Sequence, residues 1–159
     1  MGKEFNYKEW VDDCYKNKRN QEIDNANREH AFHLFERLLD KADRDKEDVK
    51  IISDQLFDSF YARLVDKIQK VIDNNNKVDI IVESEVENGD KNIFYSQFKQ
   101  FILKASSNFD GLPNFIVVGD NSYRYETDKD SIKAVANFND PEMGKFTKNL
   151  FVKIKEKLV

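Results

Sequence analysis

Cysteine is all but missing from this sequence: Cys14 is the single one in 159 residues. One thiol excludes an internal disulfide and any cluster of paired thiols around a metal. Proline and glycine are scarce as well, at two and five residues. So few chain breakers argue against a many-turned β-sandwich and for long helices. Apolar residues never run on for more than a few positions, far short of the roughly 20 that a membrane-spanning helix needs. No basic start leads into an apolar stretch, so no secretory signal is read and a cytoplasmic location is expected. An excess of positive charge is missing too: 26 Lys and Arg face 30 Asp and Glu, for a formal net charge of −4. Neutralising phosphates supplies most non-specific affinity for nucleic acid, so nucleic acid is not the expected ligand, and neither is a membrane.

What is present is enough for a core. Hydrophobic residues make up 40% of the chain and aromatic residues 13%, which excludes a disordered chain despite 35% charged residues. The length suits one domain over 1–159, with N-terminal helices in 1–45 and an α/β core in 46–159. Residues 5–16 hold Phe5, Trp10, Val11, Cys14 and Tyr15, a short helix. A longer helix is predicted over about 21–43, capped by Asn20, because Ala31, Leu34, Phe35, Leu38 and Ala42 fall on one face. Glu29, His33, Glu36 and Asp40 then lie on the solvent side. Val49, Ile51 and Ile52 read as a buried strand ending at Ser53, and Val78 to Val82 as a second. Helices are predicted between them, over 55–74, and after them, over about 93–105. Phe115 to Val118, Tyr123 to Glu126 and Ala134 to Phe138 read as three late strands, the first two joined by a tight turn at Gly119, Asp120 and Asn121. Asp140 followed by Pro141 starts a closing helix with Met143, Phe146, Leu150, Ile154 and Leu158 as its buried stripe. Strands separated by long helices predict an α/β fold with a mixed, mostly parallel sheet flanked by helices.

From Val49 onward these elements resemble half of a phospholipase D-like domain. The resemblance rests on the strand ending at Ser53, the helix after it, the segment VDIIVES, and the tail NFIVVGDNSYRYE with AVANFND and its closing helix. Members of that family carry His-x-Lys-x4-Asp and, further on, Gly-Ser-x-Asn, and two halves meet to form one site. The resemblance therefore implies a homodimer. Laid on Asp120, the first motif puts Pro113 at the His position and Phe115 at the Lys position. Laid on Asn137, the second puts Ala134 at Gly and Val135 at Ser. Proline is no nucleophile, and phenylalanine cannot bind a phosphate. The expectation is a protein without enzymatic activity, with Pro113, Phe115, Asp120 and Asn137 as vestiges of a lost site. The alternative is a phosphodiesterase or nuclease of the same superfamily with a rearranged site.

Other candidates are weighed on their chemistry. His30 and His33, three apart with Glu36 beyond, would need further ligands for a metal and find none at a recognisable spacing. No metal, cofactor, Gly-rich phosphate loop or Ser-His-Asp pattern is expected. Arg124 and Glu126 share one face of a strand, with Tyr123 and Tyr125 on the other, and could line a pocket. The plainer reading is an exposed ion pair worth ~0–1 kcal/mol. Lysines 145, 148, 153, 155 and 157 flank the final apolar stripe and keep that helix wet. Glu83, Glu85, Glu87 and Asp90 crowd like charge just after the second strand, at the end of a strand where α/β folds gather ligands. Asp128 and Asp130 would extend that surface. The expected role is a protein-binding or regulatory module facing a basic partner, such as a bacterial immunity protein, antitoxin or defence-system component. On that reading, charge reversal at Glu85 and Glu87 slows association with the partner and added salt slows the unmutated protein likewise, as stopped-flow kinetics at two ionic strengths would register.

Overall fold

The computed structural model describes residues 5–25, 27–84, 86, 91–105, 111–128 and 132–158. In chain order the elements are α1 (Tyr7–Lys16), β1 (Ile23–Asn25), α2 (Arg28–Asp45), β2 (Val49–Ser53), α3 (Asp58–Tyr61), α4 (Val65–Asp73), β3 (Val78–Val82), α5 (Ile93–Phe98), β4 (Ile102–Lys104), β5 (Phe115–Val118), β6 (Ser122–Asp128), β7 (Lys133–Asn137) and α6 (Pro141–Leu158). The seven strands form one sheet in the order β1-β7-β6-β5-β2-β3-β4. The α/β class holds, but the mostly parallel sheet does not. Only β2–β3 and β3–β4 pair in parallel; the other four junctions are antiparallel. The cause is connection length. Helices of several turns carry β2 over to β3, whereas short turns join β5, β6 and β7 and can only reverse the chain.

Burial on both faces explains the continuous apolar runs. Along β5, Ile116 and Val118 belong to the core under α1, α2, α4 and α5. Phe115 and Val117 belong to a second core with Ile52, Ile81, Tyr123, Phe151 and Ile154, closed by α6. The sequence expectation of alternation between two covered faces holds at these residues. α6 begins as expected, with the Met143 amide donating to Asp140 Oδ1 at 3.1 Å. It can lie close because residue 144 is glycine: a Cβ there would overlap the Asp120 carbonyl. Phe146, expected in the buried stripe, is 57% exposed, and the buried face runs instead through Gly144, Thr147, Phe151 and Ile154.

Four further expectations are corrected. The second helix starts at Arg28, where Asn27 accepts from the His30 amide at 2.8 Å, and not near Asn20. The freed residues form β1, which pairs antiparallel with β7, so the N-terminal segment joins the sheet and is not purely helical. The helix expected over 93–105 stops at Phe98, passes through a 3₁₀ turn at Lys99–Phe101 and ends in β4. The helix expected over 55–74 is likewise divided, with a 3₁₀ turn at Ala62–Leu64 between α3 and α4.

Phe115 is 2% exposed, and its ring stacks on Tyr125 with centroids 5.8 Å apart. Phe115→Ala is therefore expected to cost about 3–5 kcal/mol of stability, measured by urea denaturation. A loss below about 1 kcal/mol would contradict this packing.

A candidate anion-binding cavity

The antiparallel pairing of β5 with β2 brings the start of β5 to the carboxyl end of β2, since Phe115 pairs with Ile52. β6 and β7 follow by register, Tyr125 opposite Phe115 and Val135 opposite Tyr125. The first turns of α2 and the short α3 lie across that end, and a cavity of about 440 Å³ remains between them. Its polar lining comes from Arg28, Ser53, Asp54, Asn114, Arg124 and Glu126, and its apolar lining includes Phe35, Phe57, Phe60 and Ile132. Volumes of this order are typical of small-ligand sites. Sequence reasoning placed a site at the carboxyl end of the second strand, β3; the cavity stands at the end of its neighbour, β2.

Arg124 dominates the wall. It is 3% exposed, sits centrally in the sheet between β5 and β7, and lies 5.6 Å from the Phe35 ring centroid. Its Nε donates to Asn25 Oδ1 at 2.9 Å, and its Nη1 to Glu126 Oε1 at 3.4 Å. Its Nη2 is buried and, among the described residues, has no hydrogen-bond partner. Burial pulls the guanidinium below the ordinary arginine value, and Glu126 opposes that pull. The pair is thus not the exposed surface bridge expected from sequence, although the strand does line a pocket. Asn114 Nδ2 donates to the other oxygen of Glu126 at 3.0 Å. Tyr61, also on the wall, has its hydroxyl pushed by burial to about 12, so it stays protonated at neutral pH. At the mouth, Arg28 Nη2 donates to Ser59 Oγ at 3.0 Å, and Phe57 and Ile132 are 54% and 41% exposed.

The four motif positions are split between the two ends of β5. Pro113 and Phe115 stand at the cavity end, where Phe115 forms part of the lining. Asp120 is in the turn at the far end, bound by Lys148 at 2.7 Å, and this contact holds its carboxyl below the usual value. Asn137 pairs in register with Tyr123 at that same far end; its side chain donates to Asn20 Oδ1 and accepts from the Asn139 amide, each at 2.9 Å. Of the acidic segment, Glu83 accepts from the Leu112 amide, while Glu85, Glu87 and Asp90 lie outside the described residues, as does Asp130. Asp128 closes β6. Two of the final-helix lysines are engaged, Lys148 by Asp120 and Lys155 by Asp79 at 3.0 Å.

His33 is corrected from the solvent side to a buried position, 6% exposed, with Nε2 2.7 Å from Asp12 Oδ1 on α1. His30 stacks on Tyr7 at 3.6 Å. Both histidines thus join α1 to α2, and Glu36 is half-buried on the same helix. No group of acidic, His and Cys residues among the described residues suits a metal ion.

No protein-family model matches the sequence, and no curated protein matches it. Solved structures do match. NucT from Helicobacter pylori superposes with a TM-score of 0.63 at 13% identity, over 87% of this chain and 98% of that one. TrmBL2, described as an archaeal chromatin protein with a novel mode of DNA binding, gives 0.58 at 9% identity, over 89% of this chain and 56% of that one. Such identities show a shared fold, and in NucT it is the fold of a phospholipase D-like nuclease. The expectation of a protein without enzymatic activity is overturned by this neighbour. Pro113 and Phe115 at two motif positions do not suffice to exclude chemistry on a fold that a nuclease uses. No helix among the described residues is long and apolar enough to cross a membrane.

The α1–α2 contact yields a pH test. Burial raises the Asp12 carboxyl, but hydrogen bonds from Arg37 and His33 outweigh it and leave the group below its ordinary 3.8. A carboxyl lowered on folding stabilises fully above its unfolded value, and that stability is lost as pH falls through the lowered value. Asp12→Asn should therefore lower the urea midpoint at neutral pH and lose its effect in strong acid. An equal effect at both pH values would contradict the ionic contact.

Proposed function

We propose that this chain recognises phosphate groups of nucleic acid in the cavity at the carboxyl end of β2. The observation that carries the reading is Arg124, a guanidinium 3% exposed on the wall of the cavity. Burial disfavours the charged guanidinium, and an anionic ligand beside it would offset that cost. Arg28 supports it from the mouth as the first residue of an 18-residue helix, whose positive end also favours an anion. The exposed Phe57 ring on the rim offers a stacking surface for a base. The folds of NucT and TrmBL2 support it independently, since one protein is a nuclease and the other binds DNA.

The reading departs from the expectation drawn from net charge, because the cations that matter are two residues in one cavity and not a basic face. Hydrolysis at the same cavity is a second reading, favoured by the nuclease fold, with Ser53, whose Oγ donates to the Gln55 carbonyl at 2.6 Å, as the hydroxyl on the cavity wall. A basic protein partner at 83–90, a homodimer and a cytoplasmic location stay as separate proposals. The first is weakened by the engagement of Glu83 with Leu112.

Fluorescence anisotropy with a labelled single-stranded oligonucleotide tests the phosphate reading, with cleavage products read in parallel on a gel. Binding should weaken as salt rises. Arg28→Gln, at an exposed position, should reduce affinity about three- to tenfold without moving the melting temperature. Affinity unchanged by both Arg28→Gln and Arg124→Lys would overturn the proposal.

A further inference from the structure

The two faces of the sheet are covered unequally. On the side of α1, α2, α4 and α5, a row of cross-strand neighbours runs from Ile80 through Ile51, Ile116, Arg124 and Ala136 to Ile23. Every member of that row is buried. The corresponding row on the α6 side runs through Ile81, Ile52, Phe115, Tyr125, Val135 and Asp24. There burial fails halfway. The first three are at most 2% exposed, whereas Tyr125 and Val135 are half-buried and Asp24 is exposed. One helix about 10 Å across does not span seven strands spaced about 4.8 Å apart.

α6 itself has one flank engaged and one open. Lys148 and Lys155 hold Asp120 and Asp79 on the first. Met143, Phe146 and Leu150 recur at the spacing that gathers them on the opposite flank. Phe146 is 57% exposed, and Met143 and Leu150 are half-buried against the same core as Tyr125 and Val135. An apolar wing thus continues from β6 and β7 onto this flank, and its two margins carry opposite charge. Lys153 and Lys157 extend the flank of α6, while Glu22 and Asp24 stand at the β1 margin. Glu22 is close enough to Tyr123, on the same face, to disfavour ionisation of its hydroxyl. All four charged residues are exposed, and none joins an ion pair among the described residues. Lys133 shares the face of Val135 but stands at the opposite end of β7 from Glu22.

We propose that this wing is the surface on which two copies of the chain pair by a half-turn. The Phe146 ring of each copy seats against Tyr125 and Val135 of the other, and Lys153 and Lys157 of each meet Glu22 and Asp24 of the other. A contact of this kind uses one patch twice, so the patch must be its own complement. An acidic margin, an apolar centre and a basic margin meet that condition without a second kind of molecule. Pairing also covers the apolar side chains that α6 leaves open. The seam is distinct from the cavity, to which Arg28, Phe35 and Phe60 contribute from the opposite side of the sheet. Each copy therefore keeps its own cavity, unlike the shared-site assembly that the family resemblance implies.

Sedimentation velocity of the whole protein over a rising concentration series tests this. The unmutated chain should pass from monomer to dimer, and added salt should move that transition to higher concentration. Phe146→Asp should raise the dimer dissociation constant at least about tenfold while leaving the far-ultraviolet circular dichroism unchanged. Charge exchange tests the half-turn. Lys153→Glu with Lys157→Glu, and separately Glu22→Lys with Asp24→Lys, should each weaken pairing by setting like charges against one another. An equimolar mixture of the two double variants should recover the dimer, because both seams are then complementary again. Recovery would also show that both variants are folded. A chain that stays monomeric throughout the series overturns the proposal, as does a dimer that survives Phe146→Asp. A mixture no more associated than its two components overturns it as well. None of these substitutions touches the cavity, so the phosphate reading stands or falls separately.

Discussion

A guanidinium buried inside a sheet must be held by acceptors from several directions, and much of this molecule is arranged around that requirement. Arg124 gives its Nε proton to Asn25 on β1. The same Asn25 side chain donates to the Ile132 carbonyl before β7 and to the Asn27 carbonyl at the start of α2. One arginine thus fixes where the edge strand lies, where α2 begins and how β7 is entered. Glu126 balances its charge from two positions along the same strand, and Asn114 holds Glu126 in turn. Breaking such a network leaves an uncompensated buried charge, which is far more costly than losing an exposed pair.

The second organising contact joins α1 to α2. Asp12 receives both His33 and Arg37 at 2.7 Å, Arg37 continues to Asp40, and Asp40 is reached by Lys67 on α4. Further along, Arg44 donates to the Tyr15 carbonyl and lies over its ring.

Legibility in the sequence followed the strength of the local pattern. The stripe of α2, the apolar runs of β2, β3 and β5, and the Asp140–Pro141 start of α6 were readable because each element expresses its burial in its own period. β1 and β4 were not, because a strand of three residues shows no period, and both were absorbed into neighbouring helices. The order of strands depends on which neighbour β5 chooses, and no residue of β5 announces that it pairs with β2. The same applies at the cavity. Alternation put Arg124 and Glu126 on one face, but only the central place of β6 in the sheet makes that face buried. His33 went unrecognised as buried for a related reason: α1 covers the side of α2 that would otherwise meet water.

The two ends of the sheet carry a consequence for behaviour at high concentration. Both outermost strands, β1 and β4, are only three residues long. A longer unpaired edge would be a template on which the strand of another molecule could add, and repeated addition leads to fibres. Here the strands able to support such growth, β2, β5 and β6, are all interior, and each rim offers too few free backbone groups to seed it. The short flanking strands act as end-stops that keep a sheet rich in valine, isoleucine and tyrosine from becoming a seed for aggregation.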